Sequence, residues 1–215
     1  FYKRVFFITL PILIQNIITN FVSLLDNIMV GTLGTEQMSG VAIVNQLIFV
    51  YNICMFGAVS GSGLFTAQYY GKGDNEGIRH TFRFKLLISL FLTVAGLAIF
   101  LLFDDQLVGL YLQGDGDAAM AADTLYYGKL YLQIMLIGLV PFTVTNAYAG
   151  TLRECGKTLV PMVAGFVATG VNLCFNYVLI FGHFGVPQLG VAGAAIATVI
   201  ARFTEMFIVV GWAHA

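Results

Sequence analysis

Six long apolar runs fill almost the whole of this 215-residue sequence and leave only short connections between them. A helix needs roughly 20 apolar residues to cross the hydrocarbon core of a bilayer. Runs of this length lie at about residues 5–31, 38–70, 84–103, 125–150, 159–182 and 190–212. A transmembrane barrel would instead show segments of about ten residues with alternating polarity. The sequence therefore predicts an all-α membrane protein built as a bundle of six transmembrane helices.

Composition agrees with this prediction and excludes several classes of function. Hydrophobic residues make up 59% of the chain and charged residues only 10%, so soluble enzymes are poor candidates. The net charge is −1 and no basic stripe is present, which excludes nucleic acid as a partner. The cysteines, Cys54, Cys155 and Cys174, have no C-x-x-C spacing and predict neither a disulfide framework nor a thiolate metal site.

Two features of length bear on the architecture. At 1.5 Å per residue the second run would be about 50 Å long, so it must tilt, bend near residues 57–63, or project beyond the lipid. The chain begins at Phe1 and stops directly after its last apolar run, so we expect it to be part of a longer protein.

Basic residues are concentrated in the connections on one side of the predicted bundle. That side carries Lys3, Arg4, Lys72, Arg79, Arg83, Lys85, Arg153 and Lys157. The other connections, at about 32–37, 104–124 and 183–189, contain no Lys or Arg, and the middle one carries Asp104, Asp105, Asp115, Asp117 and Asp123. The positive-inside rule therefore predicts that the amino terminus is cytoplasmic. We expect a multi-pass protein of the plasma (cytoplasmic) membrane. The exceptions are Lys129, which can snorkel to the outer surface, and Arg202 within the sixth helix.

One face of the first predicted helix carries seven polar side chains, one of them a carboxylate. At 100° per residue an arc of about 140° contains Gln15, Asn16, Thr19, Asn20, Ser23, Asp26 and Asn27. Polar groups in a spanning helix are costly unless they face protein or a water-filled cavity. A stripe that only joins helices by hydrogen bonds is the alternative, but it requires fewer polar residues. We therefore expect this face to line a cavity or pathway.

The fifth and sixth helices carry further polar residues. Thr169, Asn172 and Asn176 share one face of the fifth helix. Thr198 lies on the sixth helix. The alternative to a site role is that its hydroxyl simply donates a hydrogen bond to a carbonyl of its own helix. Farther along that helix, Arg202 and Glu205 could form a charge pair that closes the inner half of the bundle.

Four of these side chains are expected at similar depths in the outer half of the membrane. Below the outer ends of their helices, Asp26 lies at about 7 Å, Asn176 at about 9 Å, Thr198 at about 12 Å and Asn172 at about 15 Å. A carboxylate, two amides and a hydroxyl are hard oxygen ligands suited to an alkali or alkaline-earth ion. A carboxylate in apolar surroundings can alternatively carry a proton. The sequence thus predicts an ion site for Na⁺ or H⁺ without choosing between them.

Three stretches carry a resemblance to a known family. Residues 11–34 (PILIQNIITNFVSLLDNIMVGTLG), residues 150–161 (GTLRECGKTLVP) and two motifs within residues 165–202 (NLCFNYVLIFG and LGVAGAAIATVIAR) resemble the amino-terminal lobe of multidrug and toxic compound extrusion (MATE) transporters. The resemblance covers the whole chain, with its motifs in the same order.

The resemblance implies a twelve-helix antiporter of two six-helix lobes. Such a protein exports cationic or amphipathic compounds in exchange for Na⁺ or H⁺, and this chain would be one lobe without its second lobe. Asp26 matches the family's essential amino-terminal aspartate. Asn172, Asn176 and Thr198 match positions that complete its ion site, with Ala194 lending a backbone carbonyl. Some relatives carry an acidic residue in place of Asn176. No cofactor other than the coupling ion is implied, and the expected partners are the lipid bilayer, small organic cations and the second lobe.

Further side chains on the second and fourth helices are candidates for the substrate cavity. They are Asn45, Gln46, Tyr51, Met55, Gln133, Met135 and Asn146, in addition to the polar face of the first helix. Aromatic or methionine packing is the alternative role for several of them.

Other functions are weighed against export of drugs. A lipid or polysaccharide flippase of the same superfamily should show a basic cavity for anionic head groups, and basic intramembrane residues are nearly absent here. An intramembrane serine protease is suggested by residues 57–63 (GAVSGSG), but the motif G-x-S-G is not present. We also expect His183 in a loop and His214 at the terminus, not inside a late helix from which a general base could reach the serine. A passive channel would ignore an ion gradient.

Overall fold

The computed structural model describes residues 2–112 and 118–215, and every regular element in these ranges is helical. The helices are α1 (Tyr2–Gly31), α2 (Thr35–Lys72), α3 (Asn75–Leu102), α4 (Asp104–Gly109), α5 (Ala118–Ile137), α6 (Leu139–Glu154), α7 (Leu159–Phe181) and α8 (Gly190–His214). A short 3₁₀ turn, Leu110–Leu112, follows α4. The prediction of an all-α membrane bundle is confirmed.

The fourth predicted span is divided into two helices. Helices α1, α2, α3, α7 and α8 are each long and apolar enough to cross a membrane, while α5 and α6 together form a sixth span bent by 47° at Gly138. Pro141 accounts for the bend because proline has no N–H to donate to the carbonyl four residues earlier, at Ile137. The expected helix over residues 125–150 is therefore broken near its middle.

The connection between α2 and α3 is tighter than the sequence predicts. Gly73 adopts a left-handed conformation (φ 73°) that ends α2, and the carboxylate of Asp74 accepts a hydrogen bond from the backbone N–H of Gly77 to begin α3. Arg79, Arg83 and Lys85 consequently lie on helix α3 instead of in a loop. Helix α2 is continuous through residues 57–63 and, at 38 residues, is longer than a bilayer core requires.

We call the end of the bundle with the connections at 32–34 and 182–189 the outer end, and the end with those at 73–74 and 155–158 the inner end. The predicted connection over 104–124 contains α4, the 3₁₀ turn and the first residues of α5. Lys129 Nζ lies 2.6 Å from Asp105 Oδ1 and 3.5 Å from Asp104 Oδ2, so an ion-pair cluster holds it at the outer end. Asp115 and Asp117 lie outside the described residues.

Close packing of three helices creates the surroundings of the site. Helix α7 packs along α8, and α1 packs against α7. Gly193 permits the first of these contacts, because a Cβ at this position would lie 2.7 Å from the backbone carbonyl of Leu179. The polar residues of α1, α7 and α8 are thereby brought to one region of the bundle.

Candidate ion site and cavities

A chain of hydrogen bonds links the four side chains that the sequence grouped by depth. Asn176 Nδ2 donates to Asp26 Oδ1 at 2.6 Å and to Asn172 Oδ1 at 3.1 Å. Asn172 Nδ2 donates to Thr198 Oγ1 at 3.3 Å, and the Thr198 hydroxyl donates to the carbonyl of Ala194 at 3.0 Å. The Thr198 hydroxyl thus bonds both to its own helix and across to α7. The structure brings all five predicted ion-site residues together.

Helix geometry explains this arrangement. Asn172 and Asn176 are four residues apart on α7 and stack on one face, as do Ala194 and Thr198 on α8. Asp26 lies five residues before the end of α1, so it meets α7 near the outer end. Asn172 is 7% exposed and Asn176 is 1% exposed, which places the two amides in the protein interior.

The two asparagine side chains of this group differ in how their oxygen atoms are placed. Asn176 Oδ1 is buried and accepts no hydrogen bond. The terminal atom of Asn172 nearest Asp26 lies 3.1 Å from both carboxylate oxygens, and the hydrogen-bonding partners favour the orientation in which this atom is the amide nitrogen. In that orientation Asn172 Nδ2 donates to the Asp26 carboxylate and Asn172 Oδ1 accepts from the Thr198 hydroxyl.

Two cavities meet at this group. The outer cavity, of about 330 Å³, is lined by Ser23, Asp26, Asn27, Val30, Val41, Asn45, Ile48, Phe49, Asn52, Tyr131, Met135, Asn176, Ala194, Thr198 and Arg202. The inner cavity, of about 480 Å³, is lined by Gln15, Asn16, Thr19, Val22, Ser23, Asp26, Asn52, Phe142, Asn146, Gly165, Ala168, Thr169, Asn172, Thr198, Ala201, Arg202 and Glu205. Asp26 therefore borders a continuous polar region on both its outer and its inner side.

The polar face of α1 lies where the sequence analysis expects it. Gln15, Asn16, Thr19, Ser23 and Asp26 line the inner cavity, and Ser23, Asp26 and Asn27 line the outer one. Asn20 is exposed and is not among the lining residues of either cavity.

The candidates on the second and fourth predicted spans divide into two groups. Asn45 and Met135 line the outer cavity and Asn146 lines the inner one, whereas Gln46 and Gln133 are exposed elsewhere. Met55 is buried in the core.

Tyr51 has its own hydrogen-bonded cluster in the core. Its hydroxyl lies 3.0 Å from the hydroxyls of both Thr93 and Thr143. These two threonine hydroxyls are 2.6 Å apart. The cluster ties α2 to α3 and α6, so Tyr51 packs in the interior and lines neither of the two cavities.

The expected charge pair between Arg202 and Glu205 is wrong as a direct contact. The two charges are within electrostatic reach of each other, but they form no ion pair in the described structure. The guanidinium of Arg202 instead lies over the ring of Phe142, 5.0 Å from its centroid. Near the inner end a different contact joins α1 to α6 and α7: Arg153 Nη2 donates to Gln15 Oε1 at 3.1 Å, and Gln15 Nε2 donates to the carbonyl of Pro161 at 3.2 Å.

Sequence reasoning missed two residues of this region. Asn52 borders both cavities, and its buried Oδ1 has no hydrogen-bond partner. Its spacing of seven residues from Asn45 on α2 is a signal that could have found it. Tyr131 lines the outer cavity, with its hydroxyl 3.4 Å from Asn45 Oδ1, and nothing in the local pattern of α5 distinguishes it from core aromatics.

Comparisons with known proteins bear on the family. The MatE family model matches residues 11–178. The chain is 28% identical over 201 residues to a probable multidrug resistance protein NorM of Thermotoga maritima, covering 94% of this chain and 42% of that protein. It is 30% identical over 186 residues to a probable NorM of Agrobacterium fabrum, covering 86% of this chain and 38% of that protein. The chain thus spans about two fifths of the length of these curated relatives.

Solved structures share the fold. An outward-facing multidrug resistance MATE family transporter of the MOP superfamily matches 98% of this chain and 44% of its own, with a TM-score of 0.85 and 23% identity. A MOP superfamily transporter from Pyrococcus furiosus matches the same shares with a TM-score of 0.80 and 20% identity. The curated relatives are named as multidrug resistance proteins and not as enzymes, which agrees with the prediction that the chain has no enzymatic activity.

Proposed function

This chain belongs to the MatE family, and from that premise we propose that it is the amino-terminal lobe of a two-lobed secondary antiporter. The complete protein exports cationic or amphipathic compounds in exchange for Na⁺ or H⁺. The chain's share of its relatives' length, 42% and 38% in the two curated proteins, supports the assignment to one of two lobes.

The observation that carries this proposal is the group of oxygen atoms around Asp26. The carboxylate of Asp26, the amide of Asn172, the unpartnered oxygen of Asn176 and the hydroxyl of Thr198 converge in a partly buried setting. A small cation replaces its hydration shell with hard oxygen ligands of these types. A carboxylate in such surroundings can alternatively carry a proton. The single carboxylate supplies the charge that either ion requires.

The cargo path is proposed to follow the polar face of α1. Asn16, Thr19, Ser23 and Asn27 are exposed in this chain, although they belong to a helix that crosses the membrane. Exposed amides and hydroxyls at this depth are tolerated against a water-filled cavity but not against lipid. A second lobe facing α1 would enclose that cavity, and Asp26 on its wall would sense both the ion and a cationic cargo.

Coupling then requires only a difference in affinity. The bound ion would stabilise one orientation of the two lobes and the cargo the other. Binding of either one then shifts the lobes toward the orientation that binds the other less tightly. An inward-moving ion gains about 2.3 kcal/mol per charge from every 100 mV of membrane potential, in addition to its concentration gradient.

The orientation belongs to the proposal as well. Exposed Lys72, Arg79, Arg83 and Lys157 lie at the inner end, whereas Asp104 and Asp105 lie at the outer end. The positive-inside rule therefore supports a plasma membrane protein with its amino terminus and inner end in the cytoplasm.

The test reconstitutes the complete gene product in liposomes loaded with a lipophilic cationic dye. Separate Na⁺ and H⁺ gradients are imposed, and dye efflux is followed by fluorescence. We expect one of the two gradients to drive efflux. Asp26→Asn should reduce coupled efflux at least about tenfold, because it removes the only charged ligand while keeping the side chain's shape.

The control is Asp123→Asn, which removes an exposed carboxylate of α5 that lines neither cavity. This variant should transport as the unmodified protein does. Coupled efflux that survives in Asp26→Asn would overturn the role of Asp26. Dye movement that ignores both gradients would favour a passive channel.

A further inference from the structure

Arg202 is a partly buried cation that the proposed ion site leaves without a role. It borders both the outer and the inner cavity, and its Nη1 is buried without a hydrogen-bond partner. A charged side chain inside a membrane bundle is costly unless it has a counter-ion, so we ask which group could neutralise it.

The contacts of Arg202 in this structure are weak. Its guanidinium lies against the ring of Phe142, and Glu205 is within electrostatic reach but not in an ion pair with it. A cation–π contact attracts the guanidinium but does not neutralise its charge as a carboxylate would. The charged group therefore borders a cavity without a direct ion pair.

The geometry of α8 directs Arg202 toward the ion site. This helix runs from the outer to the inner end, and helical side chains lean toward the amino terminus of their helix. The guanidinium thus leans toward the turn of Thr198, which lies four residues earlier and is bonded to Asn172. The hydroxyl of Tyr131 is within electrostatic reach of both Arg202 and Asp26, so the two opposite charges flank one group on the cavity wall.

We propose that Arg202 is an internal counter-cation for Asp26. When the coupling ion leaves, the guanidinium moves from the face of Phe142 through the shared cavity and pairs with the Asp26 carboxylate. Binding of the ion displaces it from the carboxylate, back toward the face of Phe142. The inference rests on the proposed function, because it assigns to Arg202 the task of neutralising the ion site during the ion-free step of the exchange cycle.

A tethered cation of this kind weakens the apparent affinity for the coupling ion. The ion binds only the fraction of molecules in which the guanidinium is away from Asp26, so its apparent dissociation constant rises by the inverse of that fraction. Removal of the guanidinium should therefore tighten ion binding, whereas loss of a purely structural contact should weaken it or leave it unchanged. The sign of the effect separates the two roles.

The experiment titrates the complete purified gene product with NaCl at fixed pH, and with acid in Na⁺-free buffer, following ion-dependent thermal stabilisation. For whichever ion stabilises the unmodified protein, Arg202→Met should lower the half-saturating concentration about tenfold, as expected if the guanidinium occupies the site in about nine molecules of ten. Arg202→Lys, which keeps a tethered cation, should stay within about threefold of the unmodified protein.

Arg153→Met is the matched control, since Arg153 is also a partly buried arginine but is bonded to Gln15 and lines neither cavity. It should leave the half-saturating concentration unchanged. If Arg202→Met does not fold, Arg202→Gln serves in its place with the same expected direction. An unchanged or higher half-saturating concentration in the uncharged variant overturns the inference.

A second readout uses the unmodified protein. A structure determined without Na⁺ at a pH that keeps Asp26 ionised should show an ion pair between Arg202 and Asp26. A guanidinium that remains over Phe142 under these conditions overturns the inference. If the unmodified protein responds to neither Na⁺ nor H⁺, the proposed function fails and this inference fails with it. A response to an ion without the expected effect of Arg202 defeats the inference alone.

Discussion

Lys85 shows how a single residue can depart from the role that its position in the sequence indicates. It lies ten residues into α3 and is completely buried, with Nζ 2.6 Å from Glu154 Oε2 and 3.2 Å from Thr151 Oγ1 on α6. Gly63 on α2 leaves room for this pair, because a side chain there would collide with the Glu154 carboxylate. One ion pair thus joins α3 to α6 beside α2 near the inner end.

Removing one partner should cost far more than removing both. Lys85→Met leaves Glu154 without its partner and should lower the free energy of unfolding by about 3–5 kcal/mol, whereas Lys85→Met combined with Glu154→Leu should recover most of the loss. Unfolding by SDS titration of the complete protein in lipid–detergent micelles measures both. Arg83→Met, an exposed change on the same helix, is the control. Equal losses in the single and double variants would show that an unpaired Glu154 carboxylate is not the cause of the loss.

At the scale of elements, the bundle depends on close contact between helix backbones. Helices α2 and α5 approach so closely at Gly40 that a Cβ there would lie 2.8 Å from both the amide nitrogen of Gly128 and the carbonyl oxygen of Thr124. Small residues permit such contacts in lipid, where van der Waals packing replaces the hydrophobic effect as the main force between helices. The same pair of helices carries Asn45 and Tyr131, which line the outer cavity and lie 3.4 Å apart, from the Tyr131 hydroxyl to Asn45 Oδ1.

This contact predicts opposite effects of the same substitution at two sites on α2. Gly40→Ala should destabilise the protein by about 1–3 kcal/mol, because two backbones cannot move apart without losing packing. Gly57→Ala is the matched control, since nothing lies within 4 Å of its missing Cβ, and it should be neutral or stabilising by up to about 1 kcal/mol. SDS unfolding measures both variants. A Gly40→Ala protein as stable as the unmodified one would contradict the assigned contact.

At the scale of the whole molecule, the two ends of the bundle carry different charges. The inner end carries the exposed basic residues of the α2–α3 and α6–α7 connections, and the outer end carries the acidic residues of α4. Lys129 does not offset this asymmetry, because Asp104 and Asp105 neutralise it locally. In the orientation that we propose, this asymmetry places the proposed ion site toward the outer side of the membrane.

Labelling of single cysteines checks this orientation. In a complete protein whose Cys54, Cys155 and Cys174 are replaced by serine, Gln188→Cys at the outer end should react with a membrane-impermeant maleimide in intact cells. Lys72→Cys at the inner end should react only after the membrane is opened, because it faces the cytoplasm. Both positions are exposed, so accessibility within the protein does not differ. The reverse labelling pattern would show that the bundle is inverted.

Periodicity and depth predicted more of the site than of the helix ends. Asp26, Asn172, Asn176 and Thr198 could be grouped because a rigid helix fixes both the face and the depth of each residue. The break at Gly138 was readable from Pro141 but was overlooked within a continuous apolar run. The early start of α3 was also missed, because an average over hydropathy does not register the capping interaction of Asp74 with Gly77.

The sequence by itself determined the spans and the polar face of α1, because both depend on the order of residues within single helices. It also determined the family, because the motifs that carry the resemblance are stretches of consecutive residues. Only the tertiary structure decided which neighbour each charge has. It pairs Lys85 with Glu154, pairs Lys129 with Asp104 and Asp105, and leaves Arg202 against Phe142 beside the ion site. The physical reason is that the environment of a charge in a low-dielectric interior is set by helices distant in sequence, and no local pattern records their approach.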